Sequence, residues 1–451
     1  MKTGHPGKQF SFIFDCLFLL SFSMLLLIVP LEFEHRVVPG ARVQVVHSKD
    51  GHYLLKDGKP FIIRGASGEA RIPELADMGA NTLRIYDTTN LGRILDEADE
   101  YGISVIVDIP VLPYSEQYDY YQDPIKNRQL CEDIRKLVRK YKDHPALLVW
   151  TLGNEVHYPL VLRKNQFIKT YNTLIDIIHA EDPDHPVSTT LPVAKRQLLG
   201  MVIHSPKIDL IGFNVFGQIT SMSKHLSLID PLVRIPSFYL SEWGYGGPWE
   251  AEETLWGAVL EPTSTKKIEQ LHERYQRFSS DKYFKYSVGR SAFYWGHKTE
   301  RTHTWFSTFN REGYRSEMVR EFRNQWNENP QVADPIGLNY MLLDGSGAAS
   351  NLIFSEGETK LAQLVFLGEK PGALNIQWEL YPEEWDFRQW GAGKQADAIP
   401  DAIITTENND ALIKIPQTKG AYRLFAQVVD PEGYYASANI PFYVINKQDA
   451  Q

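Results

Sequence analysis

Ala146-Leu-Leu-Val-Trp-Thr-Leu-Gly-Asn-Glu155 decides the fold of this chain, because a short apolar, β-prone run leads directly to an acidic side chain. A second stretch, Pro236-Ser-Phe-Tyr-Leu-Ser-Glu-Trp-Gly244, has the same design, with Glu242 where the apolar run ends. A carboxylate at the C-terminal end of a buried strand is typical of the functional face of a β/α barrel. The two stretches therefore predict two strands of one sheet, each with a functional group at its end.

Apolar runs and amphipathic stretches alternate regularly from residue 61 to residue 326. Strands are predicted over 61–65, 81–87, 103–109, 146–152, 187–191, 208–214, 237–240 and 291–295. Helices are predicted over 71–78, 91–101, 125–141, 160–179 and 316–326. This alternation implies parallel pairing, and eight such units fit a closed eight-stranded parallel β/α (TIM) barrel. A doubly wound sheet is the alternative, although no glycine-rich phosphate loop follows the first strand.

The chain divides into four parts. Residues 1–36 are predicted to be a cytoplasmic stub with a membrane anchor, and residues 37–60 a linker with a hairpin at Lys56-Asp-Gly-Lys59. Residues 61–328 form the predicted barrel. Residues 329–451 lose helical spacing and alternate between strand-like runs and Gly, Pro, Asn and Asp turns, which predicts a small antiparallel β-sandwich. That sandwich either binds glycan or braces the barrel.

The N-terminal segment from Phe10 to Val29 is almost entirely apolar and long enough to cross a bilayer as a helix. Lysines precede it and glutamates follow it, which predicts an N-terminus inside the cell and the remainder exported to the periplasm or cell surface. No small-x-small cleavage site is evident after it, so an uncleaved anchor is favoured. Cleavage and secretion form the alternative.

Composition excludes some functions. The chain has 451 residues and a formal net charge of -9, which argues against nucleic acid as the main partner. The two cysteines, Cys16 and Cys131, are not expected to pair. The histidines show no metal-binding spacing, and no cofactor is expected. With 10 Trp, 23 Tyr and 22 Phe, aromatic rings are abundant enough to serve both the core and a sugar site.

Two carboxylates at the mouth of one barrel suit glycosidic bond cleavage. One carboxylic acid protonates the leaving oxygen, and a second carboxylate attacks the sugar or activates water. Glu155 and Glu242 end the predicted fourth and seventh strands and would point into the same mouth.

The motifs Leu152-Gly-Asn-Glu155 and Ser241-Glu-Trp-Gly244 resemble those of clan A of the retaining glycoside hydrolases. The resemblance covers about residues 61–326 and is nearest to the family 2 catalytic barrel. The stretch Arg84-Ile-Tyr-Asp87 is also similar to β-glucanases and glucanosyltransferases of families 17 and 72.

The resemblance implies a role for each matching residue. Glu155 would be the acid/base and Glu242 the nucleophile, with their carboxyl groups about 5–5.5 Å apart. Arg84 would support the nucleophile, Asn154 would bind the sugar 2-hydroxyl and Trp295 would form the floor of the sugar site.

Four further residues near the strand ends are candidates for substrate contact: Tyr86, Asp87, Trp243 and His157. One feature departs from the clan, because Phe216 stands near the position of a tyrosine that hydrogen-bonds the nucleophile in many members. Tyr245 or Tyr294 could take over that role.

The sequence therefore predicts a retaining β-glycosidase that acts on an oligo- or polysaccharide through a covalent glycosyl-enzyme. Transglycosylation at the same site is one alternative. A non-catalytic glycan-binding envelope protein is the other.

Overall fold

The computed structural model describes residues 30–113, 118–327, 335–368, 373–383 and 396–446. The apolar segment predicted to cross a membrane lies outside these ranges. Within them, no helix is both long and apolar enough to span a bilayer.

Eight parallel strands close into a barrel, which confirms the predicted fold. They are β4 (Ile63–Gly68), β5 (Thr82–Ile85), β6 (Ser104–Ile109), β7 (Leu147–Asn154), β8 (Val187–Pro192), β9 (Leu210–Val215), β10 (Phe238–Trp243) and β11 (Ser287–Trp295). Each pairs with the next in chain order, and β11 closes the barrel against β4. Their residues are almost all buried, as expected for parallel strands covered on both faces.

Helices surround this barrel. They are α1 (Ile72–Asp77), α2 (Leu91–Glu100), α3 (Tyr118–Gln122), α4 (Pro124–Tyr141), α5 (Gln166–Glu181), α6 (Lys195–His204), α7 (Ile219–Ile229), α8 (Ser264–Ser279) and α9 (Met318–Trp326). Side chains that accept hydrogen bonds from backbone amides mark the start of several of these helices. The Asp123 side chain accepts hydrogen bonds from two backbone amides at the start of α4, where a proline occupies the first helical position.

A three-stranded antiparallel sheet precedes the barrel, formed by β1 (Val43–His47), β2 (His52–Lys56) and β3 (Lys59–Phe61). Val43, Val45 and Leu54 pack with Ile63 and Val288, which begin barrel strands. The first barrel strand therefore starts at Ile63 and not at Phe61 as predicted, because Phe61 pairs with Leu54 in this sheet. The sheet covers the N-terminal end of the barrel and leaves the C-terminal end open.

Two further sheets follow the barrel. One contains β12 (Arg315–Ser316), β14 (Ile353–Ser355), β16 (Asn375–Pro382), β19 (Gly420–Val429) and β20 (Tyr434–Ile445). The other contains β13 (Leu338–Leu343), β15 (Thr359–Phe366), β17 (Ile403–Glu407) and β18 (Asp410–Lys414). They share a separate apolar core, as the predicted sandwich requires. The first sheet is not purely antiparallel as predicted, because β12 and β14 each pair with β20 in parallel.

The sandwich is tied to the barrel through the loop after β11. That loop supplies β12, which pairs with β20. The predicted boundary between residues 328 and 329 lies outside the described residues. The β12–β20 pairing shows that the loop on the barrel side of this boundary belongs structurally to both units.

Candidate active site

Glu155 and Glu242 open into one cavity of about 780 Å³ at the C-terminal end of the barrel. Glu155 directly follows β7, the fourth barrel strand, and Glu242 lies near the end of β10, the seventh. The residues lining the cavity combine carboxylates, amides and aromatic rings: Tyr86, Asn154, Glu155, Pro192, Asn214, Phe216, Gln218, Glu242, Trp249, Glu250, Phe293, Tyr294, Lys298 and Glu300. The strand count made from the sequence thus places both carboxylates at the same mouth.

Both glutamates occupy places where strand pairing is irregular. The register between β9 and β10 shifts between Leu240 and Glu242, and that between β7 and β8 shifts between Thr151 and Asn154. Such irregularities redirect side chains, and they are common beside active sites. They turn the two carboxylates out of the packed strands into the cavity.

The turn that carries Glu155 is built on strained backbone. Gly153 has φ +76°, and a Cβ there would lie 2.3 Å from Cγ1 of Val156. Glu155 itself has φ 49° and His157 has φ 52°. Left-handed conformations of residues other than glycine are costly and cluster at functional sites, so this turn is held by its surroundings.

Glu242 is held by a buried arginine. The Arg84 guanidinium is completely buried, and its Nη1 donates to Oε1 of Glu242 at 3.1 Å and to the carbonyl oxygen of Ser241 at 3.2 Å. The carboxylate is only 7% exposed. A buried carboxylate with a bound guanidinium is stabilised in its ionised form, which is the form a nucleophile needs.

Arg84 is in turn fixed by Asp108 on β6. Two parallel hydrogen bonds join them, Nε to Oδ1 at 3.1 Å and Nη2 to Oδ2 at 2.6 Å. Burial raises the pKa of Asp108 to about 6, and Arg84 acts in the opposite direction. This two-pronged contact sets the plane of the guanidinium, and therefore the direction in which Arg84 meets Glu242.

Glu155 has different surroundings. The amide Nδ2 of Asn214 donates to its Oε1 at 2.9 Å, and no cation is paired with it among the described ion pairs. Burial raises the pKa of Glu155, and the negative charge of Glu242 raises it further. The two carboxyl groups are thus differentiated, because one is paired with the Arg84 guanidinium and the other has a raised pKa.

Asn154 stands between them. Its Oδ1 accepts hydrogen bonds from Arg84 Nη2 at 2.8 Å, Thr190 Oγ1 at 2.7 Å and Asn214 Nδ2 at 3.1 Å. Because the oxygen is engaged by protein donors, the amide nitrogen is the group left to contact a ligand. The contact between Asn154 and a sugar hydroxyl stays a prediction.

Asn214 was not among the predicted site residues. It lies on β9 and bridges Glu155 and Asn154, and its own Oδ1 accepts from Ser241 at 2.7 Å. Tyr86, a predicted substrate contact, lines the cavity, and the Arg84 guanidinium lies 4.7 Å from its ring centre. Alternation along the strand accounts for this position, since Tyr86 stands two residues after Arg84 and faces the same side.

A tyrosine does face Glu242, the predicted nucleophile, but it comes from the second barrel strand and not from the sixth. The Tyr86 hydroxyl is buried, and no atom of the described residues meets the geometric criteria for a hydrogen bond with it. Burial, and then the neighbouring Glu242 carboxylate, raise the pKa of Tyr86 well above its usual value. The phenol therefore stays protonated and can donate to Glu242.

The two suggested substitutes lie elsewhere. Tyr245 is buried and does not line the cavity. After burial, the nearby charge that most raises the pKa of its hydroxyl is that of Glu261 and not that of Glu242. Tyr294 lines the cavity, but the charges that act on its hydroxyl are those of Glu69 and Asp87. Phe216 packs edge to face on Trp249 and Phe293 and contributes an apolar wall.

Four predicted contact residues do not line the cavity. Trp295 is fully buried, and its indole Nε1 donates to the carbonyl oxygen of Arg71 at 3.1 Å, so the expected sugar-site floor is not formed by this ring. Trp243 packs behind the site against Tyr275 and Phe322. The indole rings lie behind the strands because alternate residues point to opposite sides.

The other two are exposed near the rim. Asp87 accepts a hydrogen bond from the backbone amide of Thr89 at 2.6 Å and caps a turn. His157 is exposed and follows the turn that carries Glu155. Burial is the main influence on the pKa of Glu155 and raises it, whereas His157 acts in the opposite direction. Neither residue is placed on the cavity wall.

The part of the chain that the structure describes contains no group of three His, Cys, Asp or Glu side chains arranged to hold a metal ion.

Comparison with known proteins supports a glycoside hydrolase. Residues 71–231 match the family model described as "Glycosyl hydrolases family 2, TIM barrel domain". The match supports the family 2 part of the predicted resemblance, whereas features of families 17 and 72 are not shown.

Similar curated proteins are glycosidases. β-Glucuronidase from Mus musculus is 29% identical over 158 residues, which are 34% of this chain and 22% of that protein. β-Galactosidase from Vibrio cholerae is 28% identical over 146 residues, which are 28% of this chain and 14% of that protein. The chain thus spans less than a quarter of the length of these two relatives.

A solved structure of Bacteroides uniformis β-glucuronidase 2 aligns with 90% of this chain and 48% of that protein, at 16% sequence identity and a TM-score of 0.48. At this score the structural likeness does not identify a substrate.

Proposed function

We propose that this protein is a retaining β-glycosidase, with Glu242 as nucleophile and Glu155 as acid/base. One observation carries the proposal: two carboxyl groups share a cavity, yet only Glu242 is paired with a buried guanidinium while the pKa of Glu155 is raised. A pair of carboxyl groups made different by their surroundings is what cleavage of a glycosidic bond requires.

In the first step the ionised Oε of Glu242 attacks the anomeric carbon of a β-linked sugar. The bond from that carbon to the glycosidic oxygen breaks, and the proton of Glu155 moves to the leaving oxygen. A glycosyl ester on Glu242 remains, and Glu155 is now ionised.

In the second step Glu155 takes a proton from a water molecule, and the oxygen of that water bonds to the anomeric carbon. The ester bond breaks and Glu242 regains its negative charge beside Arg84. Two displacements at one carbon restore its configuration, so the product is the β-anomer.

The surrounding groups support these charge changes. Arg84 stabilises Glu242 before attack and after release. The Asn214 amide donates to Glu155 and stabilises the carboxylate formed after the first step. The amide nitrogen of Asn154 is placed to contact a sugar hydroxyl between the two carboxyl groups.

The test replaces each carboxyl group separately. Glu242→Gln should abolish turnover, with a loss of about 10⁴-fold or more, because no covalent step remains. Glu155→Gln should lose most activity on sugars with poor leaving groups but far less on activated aryl glycosides, which do not need protonation. Glu312→Gln, an exposed residue outside the cavity, is the charge-matched control.

Two readouts identify the mechanism. A 2-deoxy-2-fluoro glycoside should accumulate as a covalent ester on the peptide containing Glu242, detectable by mass spectrometry. The first-formed product should be the β-anomer by NMR. Release of the α-anomer would contradict the retaining mechanism.

The alternatives are weaker on the present observations. The relatives described above are hydrolases, and no feature of the described cavity favours a sugar acceptor over water. A purely glycan-binding role does not account for the different surroundings of Glu155 and Glu242.

Attachment to a membrane stays a prediction from the apolar segment between Phe10 and Val29 and the charges that flank it. Fractionation of cells that express the full chain would test it. Recovery in the membrane fraction, with the enzyme domain accessible to external protease, is the expected result.

A further inference from the structure

We propose that the Lys298–Glu300 pair makes this site selective for neutral β-glycosides and excludes β-uronides. This inference rests on the proposed function and names its substrate class. It is carried by the charges on the cavity wall and by the way the loop after β11 is anchored.

The cavity wall is rich in negative charge. It carries Glu250 and Glu300 in addition to Glu155 and Glu242. Among the described residues that line it, Lys298 is the single cation. A uronide brings another carboxylate, which needs an available cation to offset repulsion and desolvation.

The cations near the site are already engaged. Arg84 is bound to Asp108 and Glu242. The Lys298 ammonium lies 3.3 Å from Oε2 of Glu300 and also faces the rings of Phe293 and Tyr294, 5.3 and 5.4 Å from the ring centres.

Two further arginines lie outside the cavity wall, and each has carboxylates among its charged neighbours. Arg301 lies outside the cavity wall and within electrostatic reach of both Glu300 and Glu383. Arg274 has Glu250 and Glu273 as neighbours. Oε2 of Glu250 also accepts from two backbone amides, those of Gly217 at 2.9 Å and Gly247 at 3.1 Å.

Glu300 is close enough to the nucleophile for the charge of Glu242 to raise its pKa, although burial is the larger cause. The Lys298–Glu300 pair lines the same cavity as Glu155 and Glu242. A sugar carboxylate bound there would face Glu242 and Glu300 together. A neutral hydroxymethyl or hydroxyl group would meet no such repulsion and could hydrogen-bond to the same side chains.

The loop that carries this pair is anchored, so the pair is not expected to open easily. The Lys298 backbone amide donates to Ser307 Oγ at 2.9 Å. Glu300 and Thr302 exchange backbone hydrogen bonds, and Thr302 Oγ1 donates to Oε2 of Glu261 at 2.6 Å. Buried Glu261 is itself bound by Lys267 at 2.6 Å and by Asn439 of β20 at 2.6 Å.

This anchorage gives the sandwich a function in selectivity. Asn439 reaches Glu261 across the junction, and Arg423 of β19 donates to Asn439 at 2.7 Å and to the carbonyl oxygen of Val259 at 2.8 Å. The sandwich thus braces the loops after β10 and β11, and those loops hold Lys298 against Glu300.

The experiment compares p-nitrophenyl β-glucoside, β-galactoside and β-mannoside with β-glucuronide and β-galacturonide, using the full chain. The wild-type protein should cleave at least one neutral glycoside with kcat/KM about 100-fold or more above its matching uronide. A uronide preferred by the wild-type protein would overturn the selectivity while leaving the glycosidase proposal intact. No turnover of any glycoside would overturn both.

Substitution then tests the pair itself. Glu300→Gln should raise the uronide-to-neutral ratio of kcat/KM about tenfold or more, mainly through a lower KM for the uronide, because Lys298 is released. The double variant with Glu300→Gln and Lys298→Met should return the uronide-to-neutral ratio of kcat/KM to the wild-type value. Glu312→Gln, which removes the same charge from an exposed position on the same loop, should leave the ratio unchanged. An unchanged ratio in Glu300→Gln would contradict the inference.

Discussion

The end of β10 and the turn after β7 present the same side chain in opposite settings. Glu242 is nearly buried and is bound by a guanidinium that Asp108 holds in place. Glu155 stands on a left-handed turn and is bound by a neutral amide. The difference teaches that the chemistry of a carboxyl group is set by what the neighbouring strands bring to it, and not by the residue type.

Removal of Arg84 should have the largest effect on this difference. Arg84→Met leaves Asp108 and Glu242 buried without their cation, which should cost about 3–5 kcal/mol of stability. Activity should fall about 10³-fold or more, since the nucleophile loses its stabilising partner. Urea unfolding and kcat/KM measure the two effects.

Arg93→Met is the control, because the Arg93 side chain is 68% exposed on α2 and pairs only with Glu97 of the same helix among the described ion pairs. It should change stability by less than about 0.5 kcal/mol and leave activity unaltered. Equal effects of the two substitutions would contradict the role given to Arg84.

Loss of the Tyr86 hydroxyl should have the next largest effect. Tyr86→Phe removes a donor that faces Glu242 and should lower kcat/KM by about 10- to 100-fold, the range expected for one hydrogen bond to a charged group. Tyr245→Phe removes a buried hydroxyl outside the cavity and should not change kcat/KM. If Tyr245→Phe were the more damaging substitution, the assignment of Tyr86 would be wrong.

The turn that carries Glu155 can be tested through its glycine. Gly153→Ala should lower stability by about 1–3 kcal/mol and lower activity, because the left-handed backbone is strained and the new Cβ meets Val156. Gly102→Ala has a similar φ of +69° but open space around the new Cβ, so it should lower stability without affecting activity. Thermal unfolding and steady-state kinetics separate the two outcomes.

The smallest expected effect is a shift in pH dependence. The first step needs protonated Glu155, so kcat/KM falls as the pH rises through the pKa of Glu155 in the free enzyme. The Asn214 amide stabilises the ionised form and therefore lowers that pKa. Asn214→Ser removes the amide, so the alkaline limb of the pH–rate profile should move to higher pH. A limb that moves to lower pH would contradict this sign.

Much of the barrel could be predicted because its signals are local. The apolar runs that became β5 to β11 are continuous, and the stretches between them have helical spacing. The start of β4 was misplaced by two residues, because only the folded hairpin shows that Phe61 pairs with Leu54. The short strands β12 and β14 could not be foreseen, since each exists only through pairing with β20, which is distant along the chain.

The residues of the candidate site also fall into those that local sequence indicates and those that only the folded structure shows. Glu155, Glu242, Arg84 and Asn154 were predicted from motifs at strand ends, and all four meet at the cavity or directly behind it. Asn214 was missed as a site residue, because nothing in its immediate sequence distinguishes it from other polar strand residues. Tyr86 was expected near the substrate, but its position beside Glu242 was not foreseen. Trp295 was given a role at the sugar site, but it is buried in the packing around β11.

The sequence by itself determined the number and order of the strands and the positions of two carboxyl groups at strand ends, because hydrophobic periodicity and strand propensity depend on neighbouring residues. Only the tertiary structure decided that Asp108 fixes the Arg84 guanidinium, which tyrosine faces Glu242, and that Glu300 holds the cavity lysine. Those outcomes depend on register shifts and on contacts between distant strands, where distances of a few ångströms decide the charge on each group.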